Sequence, residues 1–207
     1  MISTLSVITQ AAARDLTTLD AVKAELSITD AGVDAALSAM IAQASAAVAG
    51  WCRRPEGFGV ETVAQTVRRL PGDPAPARLI LDRDLVPAIT VVTADGAELE
   101  PDEWVLDGSL LLRLCCDRPS HWRSSKVVIR YAAGYDLPAG CPADIARACL
   151  DLVVRMWSAR GRDPTLRSEQ ILDVITQSWT DPDKTALDDG LPVEVAARLA
   201  PYKRWSV

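Results

Sequence analysis

Val127-Val128-Ile129-Arg130-Tyr131-Ala132-Ala133-Gly134-Tyr135, carried through Pro138 to Pro142 and on to Arg160, sets the architecture of the chain. Its first part is short, apolar and β-branched, which predicts a strand over Lys126 to Tyr131. Pro142 is a good first helical residue, because its fixed φ suits a helix and its missing N–H would have no partner there. Beyond it, Ile145, Cys149, Leu152, Val153, Met156 and Trp157 recur at helical spacing. Ala146 and Ala148 leave room for a close neighbour, and the pattern fades at Gly161. A strand feeding a long amphipathic helix predicts a mixed fold.

Upstream, from about Val60 to Tyr135, short strand candidates follow one another. They are Thr62 to Leu70, Leu79 to Leu81, Ile89 to Thr93, Glu103 to Leu106 and Leu110 to Leu114. Asp95-Gly96 and Asp107-Gly108 are hairpin-turn signals. Pro71, Pro74 and Pro76 punctuate the connection near the front of this region. Before it lies a helix starting at Thr17 or Thr18, with Leu19, Val22 and Leu26 on one face. A longer helix follows, with Asp30 as its expected N-cap and Val33, Leu37, Met40, Ile41, Ala44, Val48 and Trp51 as its apolar stripe. Its opposite face is rich in Ala and Ser, and Cys52-Arg53-Arg54-Pro55 ends it. Residues 1–15 carry no strong period and are expected to form an extended or weakly ordered arm.

Downstream, residues 162–190 are mixed, with a short helix or strand between Leu166 and Trp179 and an acidic loop from Asp181 to Gly190. Pro192 opens a last helix. The chain then reads Pro201-Tyr202-Lys203-Arg204-Trp205-Ser206-Val207. A solvated tail normally lacks large apolar side chains, because nothing offsets the entropy of ordering them. Aromatic rings beside cations are the composition of interface anchors. Tyr202, Lys203, Arg204 and Trp205 are therefore the candidate binding residues. The expected organisation is an N-terminal arm (1–15), a first helical part (16–56), an inserted β module (57–136), a second helical part (137–162) and a C-terminal region (163–207). In class it is α+β: a helical core of antiparallel helices with a small inserted antiparallel β module and an extended C-terminal tail.

The 207 residues and 49% hydrophobic content are enough for a real core. A net charge of −6 argues against a surface built to grip phosphates, though not against a protein that surrounds DNA without holding it. No run is long enough to span a membrane, and no signal peptide is expected. Five cysteines without framework spacing (Cys52, Cys115, Cys116, Cys141 and Cys149) predict reduced thiols made in a cytoplasm. Cys115 and Cys116 are expected to point to opposite faces of a strand. His121 is the lone histidine and reads as a surface or packing residue, so neither a catalytic triad nor a zinc site is expected. Ala132-Ala133-Gly134-Tyr135 is no phosphate loop. Asp188-Asp189 and Asp181/Asp183 could hold a divalent cation, but read as a solvated acidic loop; Asp82, Asp84 and Asp95 read as turn acids. Arg53-Arg54, Arg68-Arg69 and Arg160/Arg162/Arg167 read as solvated or ion-paired faces. No catalytic, cofactor-binding or metal-binding residue is predicted.

Three segments together resemble a known family. They are Leu16 to Leu26 with the Asp30 to Arg54 helix and its Trp51-Cys52-Arg53-Arg54-Pro55 close, the Val127 to Tyr135 strand leading into the Pro142 helix, and the terminal Leu199 to Arg204. In this order they are similar to the head-tail connector, or adaptor, proteins of tailed phages and gene transfer agents, in the long form with a β-rich insertion. The resemblance implies a non-enzymatic subunit at the virion neck, without a cofactor. It would form a ring, a dodecamer matching the portal protein, which extends the DNA channel and presents a docking surface to the stopper. The resemblance also assigns portal binding to Tyr202, Lys203, Arg204 and Trp205. Double-stranded DNA would pass through the lumen without sequence-specific contacts. Two other readings remain open: another neck component such as a stopper or tail terminator, and a small enzyme or ligand-binding protein with a pocket between the β module and the helices.

Overall fold

The computed structural model describes residues 1–86, 88–160, 168–171, 175–178 and 187–204. The chain divides into two compact units, Met1–Ala13 with Gly59–Leu137, and Arg14–Phe58 with Pro138–Val207.

The first unit holds nine strands: β1 (Ile2–Thr9), β2 (Glu61–Arg68), β3 (Arg78–Ile80), β4 (Ala88–Ala94), β5 (Ala97–Glu98), β6 (Trp104–Asp107), β7 (Leu110–Cys115), β8 (Arg118–Ser120) and β9 (Lys126–Ala133). They form two antiparallel sheets, one in the order β1-β2-β9-β4-β5 and one in the order β3-β7-β6 with β8 beside β7. Alternation places Val63 and Val67 of β2 and Val127, Ile129, Tyr131 and Ala133 of β9 inside. Leu79, Leu111, Val92 and Trp122 complete that core. Trp122 is 2% exposed; its ring N–H donates to Leu111 O at 3.2 Å and its backbone N–H to Pro76 O at 2.8 Å. The proline-marked connection is thereby pinned to the core.

This unit has its own apolar interior, and strand is about as abundant as helix among the described residues. The expected helical core with a small β insertion is therefore corrected to a mixed α+β fold with a full-sized β unit. Residues 2–9 add to it. They alternate too weakly to announce a strand, yet they pair with β2 in register from Ile2↔Arg68 to Val7↔Val63. Buried Gln65 ties them in. Its amide N–H groups donate to Ser3 Oγ (3.0 Å) and Ile80 O (2.9 Å), and its carbonyl accepts from Asp82 N (3.0 Å) and Tyr131 OH (3.0 Å). All four hydrogen-bonding positions of a 0%-exposed amide are filled, which burial demands.

Asp95-Gly96 turns β4 into β5 with both residues at positive φ, and Gly108 turns β6 into β7. A further tight turn is made by Cys116 (φ 53°) and Asp117 (φ 57°). Cys115 thus ends β7 and Cys116 lies in the turn, both exposed, in place of the expected strand pair. Gly59 is held by sterics, since a Cβ there would lie 2.4 Å from Ala13 O.

The second unit contains α1 (Leu19–Leu26), α2 (Asp34–Trp51), α3 (Ala143–Ala159), the hairpins β10 (Ser168–Ile171) with β11 (Ile175–Ser178) and β12 (Leu187–Asp188) with β13 (Leu191–Pro192), and α4 (Val193–Leu199). Thr18 caps α1, its hydroxyl accepting from Ala21 N at 3.1 Å. Asp30 does not cap α2. Its carboxylate accepts from Gly32 N at 2.9 Å in a local turn, and the helix begins after Val33. Pro142 stands at the N-cap of α3, one residue before the expected position. The core is Leu37, Ile41, Ala44 and Val48 of α2, Ile145, Ala148, Cys149, Leu152 and Val153 of α3, and Val195, Ala196 and Leu199 of α4. Buried Ser45 accepts from Leu16 N at 3.0 Å and touches Cys149 Sγ at 3.5 Å, so a small polar residue joins α2, α3 and the segment before α1.

Candidate interaction site at the carboxyl-terminal tail

The tail does not leave the helix at Pro201. Instead α4 tightens into a 3-10 turn over Ala200–Tyr202, which tolerates the proline near its start. The chain then runs back across the exit of α2. Arg204 N donates to Cys52 O at 3.0 Å, and Arg54 Nε donates to Tyr202 O at 3.2 Å. The Arg204 guanidinium meets Glu56 Oε1 at 2.6 Å. The Lys203 ammonium lies 4.1 Å from the centre of the Trp51 ring and 3.2 Å from Asp189 Oδ2.

The receiving surface is built by the segment Trp51 to Phe58. Trp51 is 7% exposed, and its ring N–H donates to Asp188 O at 3.0 Å. Asp189 and Gly190, both at positive φ, turn β12 into β13 and set Asp189 under Lys203. Arg54 is 5% exposed, with its guanidinium 5.2 Å from the centre of the buried Phe58 ring. Its burial sets aside the solvated face that was one of the two expected readings of Arg53-Arg54. The predicted residues Tyr202, Lys203 and Arg204 therefore come together, all half-buried. Trp205 lies outside the described residues, as do Arg162, Arg167, Asp181 and Asp183. Sequence reasoning missed Trp51, Arg54, Glu56 and Asp189 as the seat. The available signal was a second aromatic-cation cluster, Trp51-Cys52-Arg53-Arg54, matching the one in the tail.

Cys52 lies beneath this seat, and burial pushes its thiol up to about 11. Burial does the same to Cys141 and Cys149, also to about 11, so these thiols stay protonated at neutral pH. Beside α2, a groove of about 280 Å³ is lined by Arg14, Asp15, Ala42, Ala46, Gly50 and Glu56 among others. Among the described residues, no group of three or more His, Cys, Asp or Glu is placed to hold a metal. No helix among them is long and apolar enough to cross a membrane.

Fold and tail together describe an α+β protein whose cationic tail residues are seated on the exit of α2 of their own chain. It belongs to the head completion protein family, which residues 15–163 match; the tail lies beyond the matched stretch. No curated protein matches the chain. Among solved structures it is similar to a chain in the neck of an empty gene transfer agent particle computed with C6 symmetry. The identity is 18% and the TM-score 0.57, over 99% of this chain and 97% of that one. It is also similar to a chain in the neck of the native particle computed with C12 symmetry, with 16% identity, TM-score 0.54 and coverage of 99% and 97%. A third similar chain comes from the virion of the native gene transfer agent particle, with 16% identity, TM-score 0.56 and coverage of 98% and 96%.

Proposed function

We propose that this chain is a ring-forming adaptor at the neck of a phage or gene transfer agent particle. It sits below the portal, extends the DNA channel and offers the stopper a docking surface. The observation that carries this reading is the likeness, over nearly the whole chain, to subunits of a neck determined with C6 and C12 symmetry, joined to membership of the head completion family. The role is structural, without turnover or cofactor. Neighbouring copies meet through two different surfaces, as cyclic closure requires. A net charge of −6 suits a channel through which duplex DNA must slide, since firm phosphate binding would act as a brake.

Tyr202, Lys203, Arg204 and Trp205 are the proposed portal-binding residues. Rings would fill clefts and cations would pair with acids, each contact being weak and made firm by repetition around the ring. In the free chain, residues 202–204 rest on the exit of α2, so portal binding competes with that seat. The test is binding of the purified portal protein to the full chain and to a chain ending at Ala200. The truncated chain is expected to bind at least tenfold more weakly. Undiminished binding would refute the tail's role, and a neck map lacking the chain would refute the adaptor reading as a whole.

A further inference from the structure

Strand β1 forms one edge of the five-stranded sheet, paired with β2 on one side only. Every residue from Ile2 to Thr9 except Leu5 is exposed, with Ile2 at 48%, Val7 at 45% and Ile8 at 52%. No charged side chain and no proline occurs from Ile2 to Ala13. Exposed edges are normally guarded by Lys, Pro or a bulge, because an unpaired row of N–H and C=O groups recruits another strand. Here the one guard is a register shift between Val7 and Thr9, which leaves Ile2 to Val7 regular.

The far side of the same sheet is also incompletely covered. Strand β5 pairs only with Thr93 and Ala94, so Ala88 to Val91 lie beyond it. That strand, Ala88 to Ala94, likewise carries no charge, and its one guard is a register shift against β9 between Ile89 and Val91. Adjacent strands of this sheet are all antiparallel, so β1 and β9 run one way and β2 and β4 the other. If a second copy with the same orientation is laid beside the first, β1 meets β4 antiparallel and the alternation continues unbroken. The two edges are different surfaces of one body, which is the requirement for a head-to-tail contact that closes into a ring.

We infer that β1 is the ring-closing strand, adding itself to the Ala88–Val91 edge of β4 in the neighbouring copy through backbone hydrogen bonds. The inference rests on the adaptor reading and names the contact that reading leaves unspecified.

The test is thiol cross-linking in assembled particles. The exposed thiols are first removed by Cys115→Ser and Cys116→Ser, and Thr4→Cys and Thr90→Cys are introduced at exposed positions on the two edges. A short bismaleimide is expected to give a ladder of covalent multimers from the double variant, with monomer alone from either single variant. A ring present in the neck without a ladder overturns the β1 contact and leaves the adaptor reading standing. Linkage of Thr4→Cys alone to a different neck protein overturns it in favour of that partner, and absence of the chain from the neck overturns both. Independently, Val7→Lys guards the edge at a solvent-facing position. It is expected to reduce copies per particle at least tenfold while leaving the thermal melt of the purified chain unchanged; full occupancy would overturn the inference.

Discussion

Ending the chain at Ala200 removes Tyr202, Lys203 and Arg204 from their seat on α2, at a cost in stability set by the contacts they make there. The bond from Arg204 N to Cys52 O is neutral and contributes about 1 kcal/mol, while the Arg54 bond to Tyr202 O has a charged donor and contributes about 1.5–3 kcal/mol. The Arg204–Glu56 pair, with side chains 26% and 9% exposed, adds at most about 1 kcal/mol, and Lys203 over Trp51 adds about 0.5–1 kcal/mol. Water reaching the uncovered exit of α2 takes the place of the lost tail partners, so the low end of each range applies. The expected destabilisation is about 2–4 kcal/mol, against a typical domain stability of about 5–15 kcal/mol. The truncated chain therefore stays folded and is a fair reagent for the portal-binding experiment. Urea unfolding followed by tryptophan fluorescence measures the difference, with Trp51 reporting directly on the lost cation. A change below about 0.5 kcal/mol would refute the reasoning, because a seated tail with these bonds cannot be energetically silent. The same figure sets what a portal must overcome, roughly 30- to 700-fold in affinity, at about 1.4 kcal/mol per factor of ten.

Gln65→Leu keeps the volume of the buried amide but removes the acceptor that Gln65 offers to the Tyr131 hydroxyl and to Asp82 N, and the donor it offers to Ile80 O. A loss of about 2–3 kcal/mol in urea unfolding is expected, the more exposed Ile80 and Asp82 being partly rescued by water. Asp95 accepts from the Ser125 hydroxyl at 2.6 Å and from Lys126 N at 2.8 Å, and these bonds hold its carboxyl below the usual carboxylate range. A depressed folded value means the contribution is complete above the unfolded value of about 4 and fades as pH falls through the folded one. The melting-temperature gap between wild type and Asp95→Asn should therefore be constant at neutral pH and close in stronger acid; a gap that widens there would contradict it. With a disulfide reagent at pH 8, Cys115 and Cys116 should react rapidly, half-buried Cys141 slowly, and Cys52 and Cys149 only after denaturant is added. A third rapidly reacting thiol would contradict the burial argument.

Local pattern was enough for much of this protein. Residue type and spacing located α1, the stripe of α2, the helix after Pro142 and most of the strands between Glu61 and Ala133, because propensity, caps and turn chemistry act within a few residues. The aromatic-cationic tail also stood out from composition. Three things waited for the tertiary structure. The weakly patterned residues 2–9 became a strand because β2, far away in sequence, offers them a partner and Gln65 a buried anchor. Asp30 lost the expected cap because its carboxylate closed a nearer turn on Gly32. The seat of the tail was hidden because Trp51, Arg54 and Glu56 lie about 150 positions before it, and a contact closed over so long a loop leaves no local trace in either segment.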